Sequence, residues 1–203
     1  MIETAFTLIR HTEPAVRGIC YGSLDVPLSE HGLEHARNIA AALAEEPFAA
    51  IYTSPLRRCA ETARMLAEGR ECPLEILDGV RELNFGRFEG RTFDDLARDY
   101  PEIYRRWMEA PTEVQFPGGE SFETMQTRVL GAVRDLRARH AGESIALVTH
   151  GGVIRTLLAG VQGMDPRRIF EFDLPYGAIR RVALPSDPAA PLCAPAATTP
   201  HPR

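Results

Sequence analysis

The sequence predicts an α/β protein, a three-layer sandwich in which a mostly parallel sheet of about six strands has helices on both faces. Two observations predict this fold class. Short apolar runs alternate with longer segments of helical periodicity along most of the chain. The helical segments are long enough to cross over a sheet, and right-handed crossovers place the strands in parallel with helices on both faces.

The composition favours one globular domain. The chain has 203 residues, of which 44% are hydrophobic and 25% are charged, as is ordinary for a soluble protein. A domain of this length buries roughly 70% of the surface of its unfolded chain, so it requires neither a disulfide nor a structural metal. We expect the domain to span residues 1–184. The Pro- and Ala-rich segment 185–203 has no periodicity and is predicted to be a flexible tail.

In the first half of the chain, turn and capping residues bound each predicted element. A short apolar run ends at Arg10 and predicts a buried strand. Ser29 is a good N-cap for a helix that Pro47 stops, and Pro55 is predicted at the first position of the next helix. In chain order, we predict a strand over residues 5–9, a helix over 29–46, a strand over 49–53, a helix over 56–68, a weaker strand over 74–77 and a functional loop over 78–91.

The second half begins with a capping pair. Thr92 and Asp95 resemble a capping box, and Pro101 is expected to break the helix that they open. An uninterrupted apolar run precedes His150, and a turn at Tyr176 separates two β-like runs. We predict helices over residues 92–107, 121–140 and 151–161, a loop over 111–119, and strands over 145–149, 169–174 and 178–184.

Charge and hydropathy exclude several classes of partner. A net charge of −5 gives no general basic surface for nucleic acid. The four cysteines have no CxxC spacing. The first residues lack the regions of a secretory signal, and no apolar stretch reaches membrane-spanning length. We therefore expect a cytoplasmic protein with reduced thiols that acts on a small molecule without a membrane partner. The sequence leaves a homodimer open.

Two histidines follow predicted strands directly. Arg10 and His11 come after the first strand, and His150 with Gly151 and Gly152 comes after the strand over residues 145–149. Ligands of open parallel sheets bind beyond the carboxyl ends of the strands. We therefore expect these two segments to meet in one site.

These residue types suit phosphoryl transfer, which needs a nucleophile and cationic donors for the phosphate oxygens. A neutral imidazole at His11 can attack phosphorus, and the guanidinium of Arg10 offers a planar fork of donors. Arg58 lies in the first turn of a predicted helix, where the helix dipole favours an anion. His150 and the amide of Gly151 could bind the same oxygens. Arg57, beside Arg58, is predicted to be solvated.

Four strings carry a family resemblance. LIRHTEP, SPLRRCAETA, RELNFGRFEG and LVTHGGVIR occur in the order and spacing typical of the histidine phosphatase (phosphoglycerate mutase-like) superfamily, over roughly residues 6–183. The resemblance implies that His11 is phosphorylated, that Arg10, Arg58 and His150 form the phosphate pocket, and that Glu82 is the proton donor. It implies no metal and no cofactor. Glu89 is the other candidate acid, and we expect it to be structural.

The sequence departs from the family pattern at two positions. Thr12 stands where a glycine is usual, and the asparagine that often contacts phosphate has no counterpart, Arg17 being the nearest residue. The segment 18–29 resembles that of α-ribazole-5′-phosphate phosphatases, which implies substrate-binding positions at Tyr21 and Gly22. The implied activity is a phosphomonoesterase acting on α-ribazole 5′-phosphate or adenosylcobalamin 5′-phosphate in cobalamin nucleotide-loop assembly.

Other functions stay open. A phosphoglycerate mutase uses the same pocket, although such chains are typically longer after the Glu-bearing loop. A phosphatase of another small phosphorylated metabolite also fits. More distantly, His31, Glu34 and His35 match the HxxEH pattern of zinc peptidases, but Gly32 weakens that helical turn and no third ligand is evident. A binding protein without turnover would lack the nucleophile or the acid, and both are present.

Overall fold

A five-stranded sheet lies at the centre of the residues that the computed structural model describes, 2–192. The strand order is β3-β2-β4-β1-β5. The first four strands in this order are parallel, and β5 runs antiparallel to β1 at one edge. The strands are β1 (Glu3–Arg10), β2 (Ala50–Thr53), β3 (Leu74–Ile76), β4 (Ser144–Thr149) and β5 (Ile179–Pro185).

Helices cover both faces of this sheet, as predicted. Ile9 of β1 faces a core formed with the first two helices, whereas its neighbour Leu8 faces a larger core formed with the later helices. This alternation is the period of two expected of strands buried on both sides. The helices are α1 (Glu30–Ala42), α2 (Arg57–Ala67), α3 (Phe93–Asp99), α4 (Pro101–Glu109), α5 (Phe122–Arg139) and α6 (Gly151–Gln162).

The predicted helix boundaries are largely confirmed by their caps. The Ser29 hydroxyl accepts the N–H of Gly32 at the start of α1, and the Thr92 hydroxyl accepts the N–H of Asp95 at the start of α3. The break between α3 and α4 falls at Pro101, as predicted. The prediction for Pro55 was wrong, because α2 begins at Arg57 after Leu56 as N-cap.

The predicted strand over residues 169–174 is also wrong, and the sheet therefore has five strands where about six were predicted. The segment Pro166–Glu171 is a 3-10 helix. Asp165 caps it through the N–H of Arg167, and Arg168 pairs with Glu171 three residues on, which is a helical spacing. The β-like composition of this segment gave the wrong prediction because Pro166 fixes a φ that suits the start of a helix.

The first part of the predicted tail is packed against the domain. The hydroxyls of Ser186 and Thr4 are 3.0 Å apart, and the Arg137 guanidinium donates to the carbonyls of Asp187 and Ala190 at 3.0 Å each. Residues 193–203, including Cys193, lie outside the described residues, so flexibility there stays a prediction. No helix among residues 2–192 is long and apolar enough to cross a membrane.

Candidate active site

The two histidine segments meet where neighbouring parallel strands end. Arg10 of β1 is in register with Thr149 of β4, so the next residue on each strand is a histidine. The N–H of His11 donates to the carbonyl of Thr149 at 2.9 Å. The centroids of the His11 and His150 rings are 5.3 Å apart in an edge-to-face arrangement. The strand register thus creates a paired-imidazole site at the carboxyl edge of the sheet.

The environment of His11 fixes the state of its ring. Its Nδ1 lies 2.8 Å from the carbonyl oxygen of Thr12. Because a carbonyl only accepts hydrogen bonds, Nδ1 carries the proton and Nε2 of the neutral ring keeps its lone pair. Burial, and then the positive charge of Arg58, lower the pKa of His11 well below 6.5. Nε2 is therefore available as a nucleophile at neutral pH.

His150 is also buried and neutral. Its Nε2 lies 2.8 Å from the Ser54 hydroxyl and 3.4 Å from the Cys59 sulfur. Burial, and then the positive charge of Arg58, lower the pKa of His150 well below 6.5. Because both rings are neutral, they repel neither each other nor the two neighbouring guanidinium groups.

Arg58 and Arg10 each have a buried Nε donor without a partner among the described residues. The Arg58 guanidinium is fully buried and donates to the carbonyls of Leu24 and Gly22 at 2.9 and 2.6 Å. The Arg10 guanidinium donates to the carbonyl of Leu174. Within residues 2–192, the buried Nε of either arginine has no hydrogen-bond partner. Buried donors are normally paired, so the site is arranged to receive an anion.

Glu82 is held by backbone amides beside these groups. One carboxylate oxygen accepts the N–H of Gly152 at 3.0 Å and the other accepts the N–H of Leu83 at 3.1 Å. A Cβ at Gly152 would overlap Glu82 Oε1, so the glycine permits this approach. The carboxyl group is thereby fixed next to the start of α6, within the cavity that also contains His11.

Glu89 organises the neighbouring loop, which confirms the expectation that it is structural. Its carboxylate accepts the backbone N–H groups of Gly22, Ser23 and Leu24 at 2.8–3.0 Å, and that of Phe85 at 3.0 Å. A Cβ at Gly22 would overlap the carbonyl of Leu83, so a glycine is required for the two loops to approach. Glu89 therefore binds the N–H groups of this loop, and Arg58 binds its carbonyl groups.

A cavity of about 610 Å³ is lined by His11, Arg10, Arg58 and Glu82. Its walls beyond the charged groups are largely aromatic. The hydroxyls of Tyr21 and Tyr176 form a hydrogen bond, and the Arg10 guanidinium lies 4.3 Å from the centroid of the Tyr176 ring. Tyr176, which follows a proline in a turn, was not predicted to lie in the site. The remaining aromatic wall is formed by Phe85, Phe93 and Trp107, none of which was predicted individually.

The two positions that depart from the family pattern have different surroundings. The Thr12 hydroxyl donates to the carbonyl of Gly32 at 2.7 Å, so this side chain joins β1 to α1. Arg17 lines the cavity and forms an ion pair with Glu13 at its rim. Arg57 is exposed and pairs with Glu61 at 3.3 Å, as expected of a solvated residue.

The HxxEH histidines lie apart from this site on α1. Their ring centroids are 6.4 Å apart, and His31 is an exposed partner of Glu13 at 3.7 Å. A side chain at Gly177 would collide with the His35 ring, which packs there. Across residues 2–192, no three His, Cys, Asp or Glu side chains are grouped so that they could hold a metal ion.

Comparison with known proteins identifies the family. Residues 6–190 match the histidine phosphatase superfamily (branch 1). The chain is 34% identical over 167 residues to phosphoserine phosphatase 1 of Hydrogenobacter thermophilus, across 81% of this chain and 79% of the relative. It is 31% identical over 172 residues to adenosylcobalamin/alpha-ribazole phosphatase of Salmonella typhimurium, across 84% and 85%.

A solved structure agrees with this match. The structure of Bacillus stearothermophilus YhfR is similar with a TM-score of 0.85 and 32% sequence identity, over 89% of this chain and 91% of that chain. The chain therefore belongs to the histidine phosphatase superfamily and is a metal-independent phosphatase of that family.

Proposed function

We propose that this phosphatase works through a phosphohistidine on His11. Nε2 of His11 attacks phosphorus as the bond from phosphorus to the ester oxygen breaks. The unsatisfied Nε donors of Arg10 and Arg58 and the imidazole of His150 stabilise the charge on the three equatorial oxygens. The observation that carries this proposal is the hydrogen bond from His11 Nδ1 to Thr12, which leaves Nε2 unprotonated.

Glu82 handles the proton in both half-reactions. In the first, its carboxyl group donates a proton to the departing alkoxide, which leaves as an alcohol. In the second, the resulting carboxylate takes a proton from water as the water oxygen attacks phosphorus and the bond to Nε2 breaks. The products are inorganic phosphate and the starting enzyme. The amides of Gly152 and Leu83 support this role, because they hold the carboxylate in one orientation between the half-reactions.

The substrate that we propose is α-ribazole 5′-phosphate, or adenosylcobalamin 5′-phosphate. Both present a large leaving group. The aromatic side chains of Phe85, Phe93 and Trp107 line the cavity that contains Glu82, and flat bases stack well on such rings. The named activity of the Salmonella relative supports the same substrate. The similarity to a phosphoserine phosphatase makes phosphoserine the second candidate.

The mechanism is tested by phosphate labelling. Wild-type enzyme incubated with a ³²P-labelled phosphomonoester and quenched in alkali, where phosphohistidine survives, is expected to retain label on His11. The variant H11A should retain none and should release no phosphate. H31A is the matched control, because it removes an exposed histidine, and it should keep both properties. Label or turnover in H11A would falsify the proposal.

The substrate is tested by comparing kcat/KM for α-ribazole 5′-phosphate, O-phosphoserine and 3-phosphoglycerate, without added metal. We expect the highest value for α-ribazole 5′-phosphate and free phosphate as a product from it. Isomerisation of 3-phosphoglycerate without release of phosphate would instead indicate a mutase. A higher value for O-phosphoserine would reverse the order of the two phosphatase candidates.

A further inference from the structure

A second, smaller cavity of about 150 Å³ lies beside the proton donor. Arg10, Glu82, Phe85 and Trp107 line both this side cavity and the main one. A leaving group must place its ester oxygen next to Glu82. From that point, the rest of the leaving group has two directions available, along the aromatic wall of the main cavity or into the side cavity.

The side cavity contains an arginine that the mechanism does not use. Arg155, on the first turns of α6, lines it together with Gly151 and Gly152. Its Nη1 lies 2.8 Å from where a Cβ at Gly151 would be, and its guanidinium lies 5.4 Å from the centroid of the Phe170 ring. A larger residue at position 151 would therefore push this guanidinium away.

Arg155 has no counter-ion in contact. It takes part in no ion pair with the described residues, and its buried Nε has no hydrogen-bond partner among them. The negative charges of Glu82 and Asp173 raise the pKa of Arg155 without contacting it, whereas the positive charge of Arg10 lowers that pKa. Burial, followed by Arg10, lowers the pKa of Arg155. Two guanidinium groups line this small cavity with one carboxylate, that of Glu82, which already accepts two backbone N–H groups. The excess positive charge and the unpartnered Nε of Arg155 make the cavity suited to a further anion.

We propose that Arg155, with the neighbouring Arg10, forms a second anion subsite that binds a carboxylate or a second phosphate on the leaving group. The inference rests on the proposed function, because it uses the same His11 chemistry. It deepens that function by naming Arg155 as the residue that selects small phosphomonoesters with another negative group, phosphoserine among them, beside the aromatic substrates of the main cavity. A planar guanidinium suits both anions, since it can donate two parallel N–H bonds to either.

Matched pairs of substrates isolate the contribution of the second anion. O-phosphoserine and O-phosphoethanolamine differ only by a carboxylate. Glycerol 1,3-bisphosphate and glycerol 3-phosphate differ by a phosphate. For at least one pair, we expect the wild-type kcat/KM to favour the anionic member by roughly 10- to 100-fold, the value of one or two charge-assisted hydrogen bonds. The pair that shows the preference identifies the anion.

The variants are R155Q, R155K and R134Q. In R155Q, the preference should fall to near unity while hydrolysis of phenyl phosphate, whose leaving group is uncharged, stays within about twofold. R155K keeps the charge without the planar fork and should retain part of the preference. R134Q removes an exposed arginine of α5 and should leave the preference intact. Phenyl phosphate turnover also reports that each variant is folded.

Three results would overturn the subsite. One is a wild-type enzyme with no preference in either pair, and another is a preference that R155Q leaves unchanged. The third is an equal loss of kcat/KM for every ester in R155Q with a displaced alkaline limb of its pH profile, since Arg155 would then act by positioning Glu82, the proposed proton donor. Failure of the His11 mechanism is distinct, because wild-type enzyme would then not be labelled by any ester.

Discussion

A carboxylate oxygen of Glu82 accepts the backbone N–H of Gly152 at 3.0 Å, which joins the loop after β3 to the first turn of α6. Helix α6 begins directly after His150. The proposed proton donor, Glu82, and the proposed phosphate ligand, His150, are therefore fixed relative to each other by one hydrogen bond at a helix N-terminus, where the helix dipole also favours a carboxylate.

The variant G152A tests this arrangement. A methyl group at position 152 would overlap Glu82 Oε1 and displace the carboxylate. We predict a fall in kcat of about 10²-fold for alkyl phosphates, as expected for loss of general acid catalysis. The loss should be smaller for p-nitrophenyl phosphate, whose leaving group needs little protonation. Steady-state kinetics on the two esters measures the difference.

The matched control is G131A in α5, where a methyl group would meet nothing within 4 Å. It should leave kcat unchanged and stabilise the helix by up to about 1 kcal/mol. A full kcat in G152A with alkyl phosphates would mean that the observed position of Glu82 is not needed for proton transfer.

The sequence predicted the parts of this site that lie at strand ends. An apolar run ending in a histidine is a local pattern, and the sheet register then brings His11 and His150 together. The resemblance pointed to Glu82, but its hydrogen bond to Gly152 depends on how two distant loops pack. Glu89 could be judged structural, yet its four backbone partners could not be named from the sequence.

The residues that were missed are those recruited through nonlocal geometry. Phe93 and Trp107 belong to two short helices whose angle at Pro101 is not encoded in their periodicity. Tyr176 reaches the main cavity from a turn. Arg155 reaches the side cavity from α6, a helix whose place in the chain was predicted but not the side chains that it directs into a cavity. The error over Pro166–Glu171 arose because apolar residues at Ile169 and Leu174 suit either a strand or a short helix.

The variant E89A should loosen the loop that carries Gly22 and Leu24. Four backbone N–H groups would lose their charged acceptor, so we predict that the free energy of unfolding falls by about 2 kcal/mol. KM should rise more than kcat falls, because Arg58 depends on the carbonyls of the same loop. Urea unfolding and steady-state kinetics measure the two effects.

E123A, on the exposed face of α5, is the control for removal of a carboxylate. It should leave KM unchanged and should lower the free energy of unfolding by less than about 1 kcal/mol, because Glu123 lies in the first turn of α5. A loss of kcat in E89A of 10³-fold or more at unchanged KM would contradict this interpretation, because Glu89 would then be the acid of the reaction.

The two buried histidines should make stability depend on pH. Their pKa values in the folded protein are below 6.5, so only the unfolded chain takes up protons as the pH falls through that value. The free energy of unfolding should therefore be unaffected by these groups above pH 7 and should decrease below pH 6.5. The two together contribute a slope of at most about 2.7 kcal/mol per pH unit.

Urea unfolding at a series of pH values between 5 and 8 measures this slope. The variant H150Q carries no ionisable group at that position and should reduce the slope by about half, whereas the exposed H31A should not alter it. An unchanged slope in H150Q would mean that this ring is protonated in the folded state.

The same pKa shift should keep His11, the proposed nucleophile, neutral in mild acid. Because the pKa of His11 lies well below 6.5, the rate of phosphoenzyme formation at pH 6.5 should be close to the rate at pH 7.5, once the ionisation of the ester itself is taken into account. Rapid-quench measurements with labelled phenyl phosphate test this. A rate roughly twofold lower at pH 6.5, as expected of an imidazole with an ordinary pKa, would show that the pKa of His11 is not lowered.

Phe93 tests the role of the aromatic wall. Its side chain is 42% exposed, lines the main cavity and lies 6.2 Å from the Trp107 ring, measured between centroids. We predict that F93A lowers kcat/KM for α-ribazole 5′-phosphate by about 2- to 10-fold, the value of one aromatic pair. The value for O-phosphoserine should not change, because its leaving group is too small to reach the wall.

The control is M108A, which removes an exposed apolar side chain of α4. It is expected to leave kcat/KM for both substrates unchanged. An equal loss for both substrates in F93A would indicate that Phe93 supports the phosphate site and not the base, and a thermal unfolding scan would separate that effect from a loss of stability.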